Sequence, residues 1–159
     1  MSLDHFDPKG KAASPFTVAF QNQLRQNLPF EDQRDCEEAQ RGFLVAPPYR
    51  QILAQDGHIA WDMGCYEFLL HSFDSVFDTI HPSLQRQAVL NMAYGLYEVV
   101  PGSIYQVRGF DLANMTIIKG ETGWILFDVL TCKETARAAL ELVNEQLGER
   151  RVVAVGVLP

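Results

Sequence analysis

The side chains in this sequence that could ligate a metal, shuttle a proton or attack a substrate are four histidines, three cysteines and a surplus of carboxylates. His5, His58, His71 and His81 form no His-x-His and no pair four apart, so no one helix or strand gathers two imidazoles on one ion. His58 follows a turn, His71 lies among aromatics and His81 precedes a helix start, which favours surface or structural roles over ligation. Cys132, at a helix N-terminus beside Lys133, is the one thiol placed to favour its thiolate; acids surround Cys36 and oppose it. Packing still accounts for Cys132 better than reactivity does. Glu67, Asp74 and Asp78 fall in a polar, aromatic stretch where solvation and capping explain them better than paired-carboxylate catalysis. Asp128 differs, because it ends a strand that leads into a helix, the edge where open α/β sheets place functional side chains. Chemistry alone makes it a hydrogen-bonder at the helix entry. There is no Gly-x-Ser-x-Gly elbow and no glycine-rich loop after a strand to cradle phosphate.

These residues must be held by a folded scaffold, and the composition provides for one. With 47% hydrophobic and 21% charged residues in 159, the chain can bury a core and does not read as disordered. A net charge of −7 and a pI near 5.0 oppose binding to a phosphate backbone, so nucleic acid is not an expected partner. Cys36, Cys65 and Cys132 are odd in number and far apart, which suggests neither a disulfide framework nor a cysteine zinc site. The polar start, Met1 to Ser14, lacks the apolar stretch of a secretory signal, and no window nears the ~18 apolar residues of a membrane span. As written, the chain is expected to be cytoplasmic.

The first hundred residues read as mainly helical. Ser14-Pro15 opens a helix through Phe16, Phe20 and Leu24 that Pro29 stops. Glu31 to Arg41 forms a second, with Glu37 and Arg41 paired and Gly42 at its end. Two short strands flank Gln55-Asp56-Gly57 between Gln51 and Trp61, and a helix is expected over Pro82 to Tyr97, with Val89, Met92, Ala93 and Leu96 on one face. The period then changes to strands at Ile104 to Arg108, Ala113 to Ile118 and Trp124 to Val129, the last two joined by Gly120-Glu121-Thr122-Gly123. Thr131-Cys132-Lys133-Glu134 has the capping-box pattern. Ala136, Ala139, Leu140, Val143 and Leu147 make the apolar stripe of the helix it opens, and Gly148 ends that helix. Arg151 to Val155 is expected to be a buried strand. The class is α+β: an α-rich extension over residues 1–100, then β, β, β, α, β over 101–159.

The run IYQVRGFDLANMTIIKGETGWILFDVLT, with PSLQRQAVLNMAYGLYEV and FEDQRDCEEAQRGFLVAPP upstream, resembles alkyl sulfatases of the metallo-β-lactamase superfamily over most of Phe30 to Val155. The resemblance implies a helical extension followed by the first half of a metallo-β-lactamase-type αββα sandwich. In the complete family enzyme it implies two zinc ions, which activate a water and neutralise the sulfate ester of an alkyl sulfate substrate. Homodimerisation is implied only for the full-length form, and export of full-length relatives is left open. The family's strand matching Arg151 to Val155 leads into a His-x-His-x-Asp-His loop, whereas here Gly156-Val157-Leu158-Pro159 comes next. No catalytic residue, metal ligand or cofactor is therefore expected in this chain, which reads as an incomplete, inactive N-terminal part of such an enzyme. The alternative is a non-catalytic module that pairs with an intact sulfatase subunit or a complementary fragment. Asp128 matches a family position that orients the metal loop from behind the ligands, and Asp111 and Asn114 match the strand segment near the cleft, where they are expected to line it.

Overall fold

A computed structural model describes residues 11–72 and 77–157, with backbone alone at 71 and 72. His5, Asp74 and the side chain of His71 lie outside the described residues. Helix α1 (Pro15–Asn27) starts as its sequence demands: the Ser14 hydroxyl accepts the Thr17 amide at 3.1 Å and Pro15 takes the first helical position. Helix α2 (Arg34–Gln40) leads through Gly42 into strand β1 (Phe43–Val45). Strands β2 (Gln51–Leu53) and β3 (Ile59–Asp62) form the expected antiparallel hairpin around Asp56-Gly57.

Helix α3 (Pro82–Leu90) is shorter than its pattern suggests, and Gly95–Val100 is strand β4 instead of a further helical turn. The apolar spacing that extends the helical pattern to Leu96 also suits a strand that pairs on both sides, Leu96 with Val45 and with Val107. Two ladders of backbone hydrogen bonds outweigh the local helical period. Strands β5 (Ile104–Arg108), β6 (Met115–Lys119) and β7 (Trp124–Phe127), helix α4 (Lys133–Leu147) and strand β8 (Val152–Gly156) complete the order. The six-stranded sheet runs β1-β4-β5-β6-β7-β8, antiparallel except for the parallel pair β7 and β8.

Alternation along the strands puts Leu96, Tyr105, Val107, Met115, Ile117, Trp124 and Leu126 in the core, with α4 and the β2-β3 hairpin contributing Ala139, Val143, Ile52 and Met63. Trp124 is fully buried, and its indole N–H donates to Asn144 Oδ1 at 2.8 Å, so burying the ring strands no donor. The buried face of α4 is Thr135, Ala138, Ala139, Leu142 and Val143, turned from the expected stripe so that Ala136, Leu140 and Leu147 flank it. Strand β8 is not buried as its Val-Val-Ala-Val run suggests. Among the described residues it pairs only with β7, and Val155 stays 54% exposed.

Close approach of β1 to β4 depends on Gly42. Its φ is 76° and a Cβ there would lie 2.1 Å from the Glu98 carbonyl oxygen, whereas Gly57, at φ 88°, faces open space. Gly42→Ala is expected to lower Tm by roughly 5–10 °C and Gly57→Ala by about 2–4 °C, since only the first adds a clash to the backbone strain. Equal shifts in circular-dichroism melts would count against the close approach.

Candidate functional site

The β5-β6 connection and the start of α4 meet at one carboxylate. Asp111 is 6% exposed. Its Oδ1 accepts the Leu112 amide at 2.6 Å, and its Oδ2 accepts the Thr131 amide at 2.8 Å and the Thr131 hydroxyl at 2.6 Å. The Thr135 hydroxyl lies 3.0 Å from the same Oδ2 and 3.0 Å from the Cys132 carbonyl, two acceptors for a single proton. Burial by itself would raise the Asp111 carboxyl, but the hydrogen bonds from Thr131, Leu112 and Thr135 outweigh it and hold the group below its usual range. The charge is neutralised by donors, with no cation paired to it among the described residues.

This arrangement replaces the expected capping box. Cys132, not Thr131, is the N-cap of α4 and makes no side-chain cap bond, while the Thr131 hydroxyl is committed to Asp111. The Cys132 sulfur lies 3.3 Å from the Thr135 hydroxyl oxygen, and Glu134 pairs with Lys133 at 3.6 Å. Thr131 and Thr135 are thus the residues that sequence reasoning misses at this site. The available signal, a threonine four residues before another at a helix start, also describes an ordinary cap.

Asp111 and exposed Asn114 both line a cavity of about 860 Å³ between the sheet and the segments around β3 and α3. Trp61 and Arg108 share its wall: the Trp61 indole donates to the Gly109 carbonyl at 2.8 Å, and Arg108 stacks 4.2 Å from the Tyr97 ring centroid. Asp128 is not on that wall. It follows β7, which stops at Phe127 and not at Val129 as expected, with φ 57°, and its amide donates to the Gly156 carbonyl at 3.0 Å. Among the remaining titratable groups, His58 pairs with Asp56 on an exposed turn at 2.5 Å, His81 caps α3 by accepting the Ser83 amide at 3.2 Å, and Glu67 pairs with Arg50. Among the described residues no three His, Cys, Asp or Glu side chains converge, so this donor set does not fit a zinc site.

No family model matches the chain. Across 91% of its length it is 48% identical to an (R)-specific secondary-alkylsulfatase and 41% identical to a linear primary-alkylsulfatase, both of Pseudomonas sp. It is also 40% identical to the alkyl/aryl-sulfatase BDS1 of Saccharomyces cerevisiae. Its fold superposes on the stereoselective inverting sec-alkylsulfatase Pisa1 from Pseudomonas sp. with a TM-score of 0.83 at 49% identity. The chain is an alkylsulfatase relative. It spans about a fifth of the length of these proteins, 21% of both Pseudomonas sequences and 22% of the solved chain. As a relative of sulfate ester hydrolases it keeps a mixed α+β architecture consistent with part of a metallo-β-lactamase-type fold. No helix among the described residues is long and apolar enough to cross a membrane.

The depressed Asp111 carboxyl gives a pH signature. A carboxyl held below its ordinary 3.8 in the folded state contributes stability that is present above about pH 4 and lost as pH falls through the folded value. In urea titrations, Asp111→Asn is expected to unfold at lower denaturant than the parent at pH 7, with the gap narrowing between about pH 5 and pH 3. A gap that is constant or widens with acid would contradict an ionised Asp111.

Proposed function

We propose that this chain forms the N-terminal portion of a zinc-dependent enzyme that hydrolyses alkyl sulfate esters, and that it has no activity by itself. The reading is carried by its likeness to alkylsulfatases over 91% of its length, combined with a described donor set that offers no metal site. On this reading the chain contributes scaffold: the sheet, the α4 crossover and the loop of Asp128 that stands behind metal ligands supplied by other residues. The substrate class is an alkyl sulfate, as the names of the relatives indicate.

A second reading, a non-catalytic module that pairs with a sulfatase subunit, is favoured by one observation. Val152, Val153 and Val155 are exposed on a strand that among the described residues pairs only with β7, an edge to which a partner's strand could add.

The two separate in one experiment. The chain is produced alone and together with a second chain that begins at the His-x-His-x-Asp-His segment of a relative and runs to that relative's C-terminus. Bound zinc is measured by elemental analysis, and sulfate release is measured from a secondary alkyl sulfate. The first reading expects neither zinc nor release from the chain alone and both from the pair. Sulfate release by the chain alone would sink it, whereas a stable but inactive pair would favour the module.

A further inference from the structure

Among the described residues only two other than glycine hold a positive φ, Asp128 at 57° and Leu130 at 69°, and both lie in the short connection between β7 and α4. Aspartate visits this region with local help from its own side chain, but a leucine has none and must be held there by its surroundings. Two anchors flank the turn. At its start the Asp128 amide donates to Gly156 at the end of β8, 3.0 Å away. At its end Thr131 gives both its amide and its hydroxyl to one oxygen of Asp111, a residue twenty positions earlier on a different loop. The Thr131 donors are thereby committed to Asp111, and among the described residues the Asp128 carboxylate accepts no hydrogen bond.

We infer that Asp111 is a positioning residue: its carboxylate pins Thr131, holds Asp128 and Leu130 at positive φ, and so presents an uncommitted Asp128 carboxylate beside the C-terminal ends of β7 and β8. The role assigned to that presented carboxylate rests on the hydrolase reading above, but the clamp does not. A carboxylate is required because both oxygens of Asp111 must accept. An amide in its place turns an NH₂ either toward the Leu112 amide or toward the Thr131 donors, and one contact becomes donor against donor. Asp111 borders the cavity, but its hold on the loop is exerted from Oδ2, which takes the Thr131 and Thr135 donors, while Oδ1 accepts the Leu112 amide.

The test is native-state hydrogen exchange by NMR on the 159-residue chain, comparing the parent with D111N, T131V and T131S. D111N and T131V are expected to cut protection at the Asp128 and Thr131 amides by about tenfold or more while leaving the β6 amides within about twofold. T131S, which keeps both donors, is expected to match the parent. T131V preserves side-chain volume and carries the test if D111N fails to fold. Loss spread evenly through the sheet, or unchanged protection at Asp128 in T131V, would overturn the clamp. In the reconstituted enzyme, D111N and T131V are expected to lower kcat by about tenfold with KM within about twofold, and T131S to retain the parent value. A rise in KM with kcat unchanged would instead return Asp111 to the substrate cleft. The exchange result does not need activity, so failure there removes the clamp alone. A failed reconstitution with a local exchange loss removes the hydrolase reading alone.

Discussion

A buried negative charge with no cation beside it among the described residues is tolerable only if hydrogen-bond donors surround it, and Asp111 obtains its donors from its neighbour Leu112 and from Thr131 and Thr135, some twenty positions away. That requirement sets much of the local geometry. The β5-β6 connection must fold back over the start of α4, Thr131 must give up its capping role, and Thr135 must face inward. The last of these rotates the buried face of the whole helix, because a helix has one azimuth and Thr135, Ala139 and Leu142 share it. A single unmet carboxylate would thus disturb both the loop and the packing of α4 on the sheet.

The sheet itself is asymmetric. One face is sealed by α4 and the β2-β3 hairpin around Trp124, which is held at its indole by Asn144 and covered by the Arg150 guanidinium 5.3 Å from its ring centroid. Toward β8 the seal ends, and valines that would suit a doubly covered strand stand exposed. On the other side of the molecule the helical region is tied down by Arg86, which donates to the Phe30 carbonyl at 3.1 Å and to Asp35 through Nε at 2.7 Å, holding the Asp35 carboxyl down at about 2. Arg86 thereby fastens the α1-α2 connection to α3, and Arg108 repeats the device at α2 by donating to the Ala39 carbonyl at 3.4 Å. Both arginines work on backbone carbonyls without a partner in a helix, Phe30 in the α1-α2 connection and Ala39 in the last turn of α2.

The relation to alkylsulfatases gives this geometry its setting. What the chain builds is a strand-to-helix corner with a carboxylate at its tip, and the chemistry that such a corner serves depends on residues that face it. The fold therefore carries more information here than any one side chain does. Asp128 is legible in the sequence near the end of a strand that leads into a helix, yet its place just beyond that strand, its left-handed backbone and its tether to β8 through Gly156 are not.

Local signals in the sequence determined the elements whose patterns had no competitor. The Ser14-Pro15 start, the Asp56-Gly57 hairpin, the order of strands β5 to β7 and the stop of α4 at Gly148 all come from caps, turn residues and periodicity acting within a few residues. Tertiary structure decided every case in which two local answers were near in energy. Leu96 fits a helical face as well as a strand, and pairing with β1 and β5 chose the strand. Thr131 can cap α4 or serve Asp111, and the larger cost of leaving a carboxylate buried without donors chose Asp111. The valines of β8 read as core from their composition, but burial belongs to the surface that covers a strand, and only the assembled sheet shows which faces are covered.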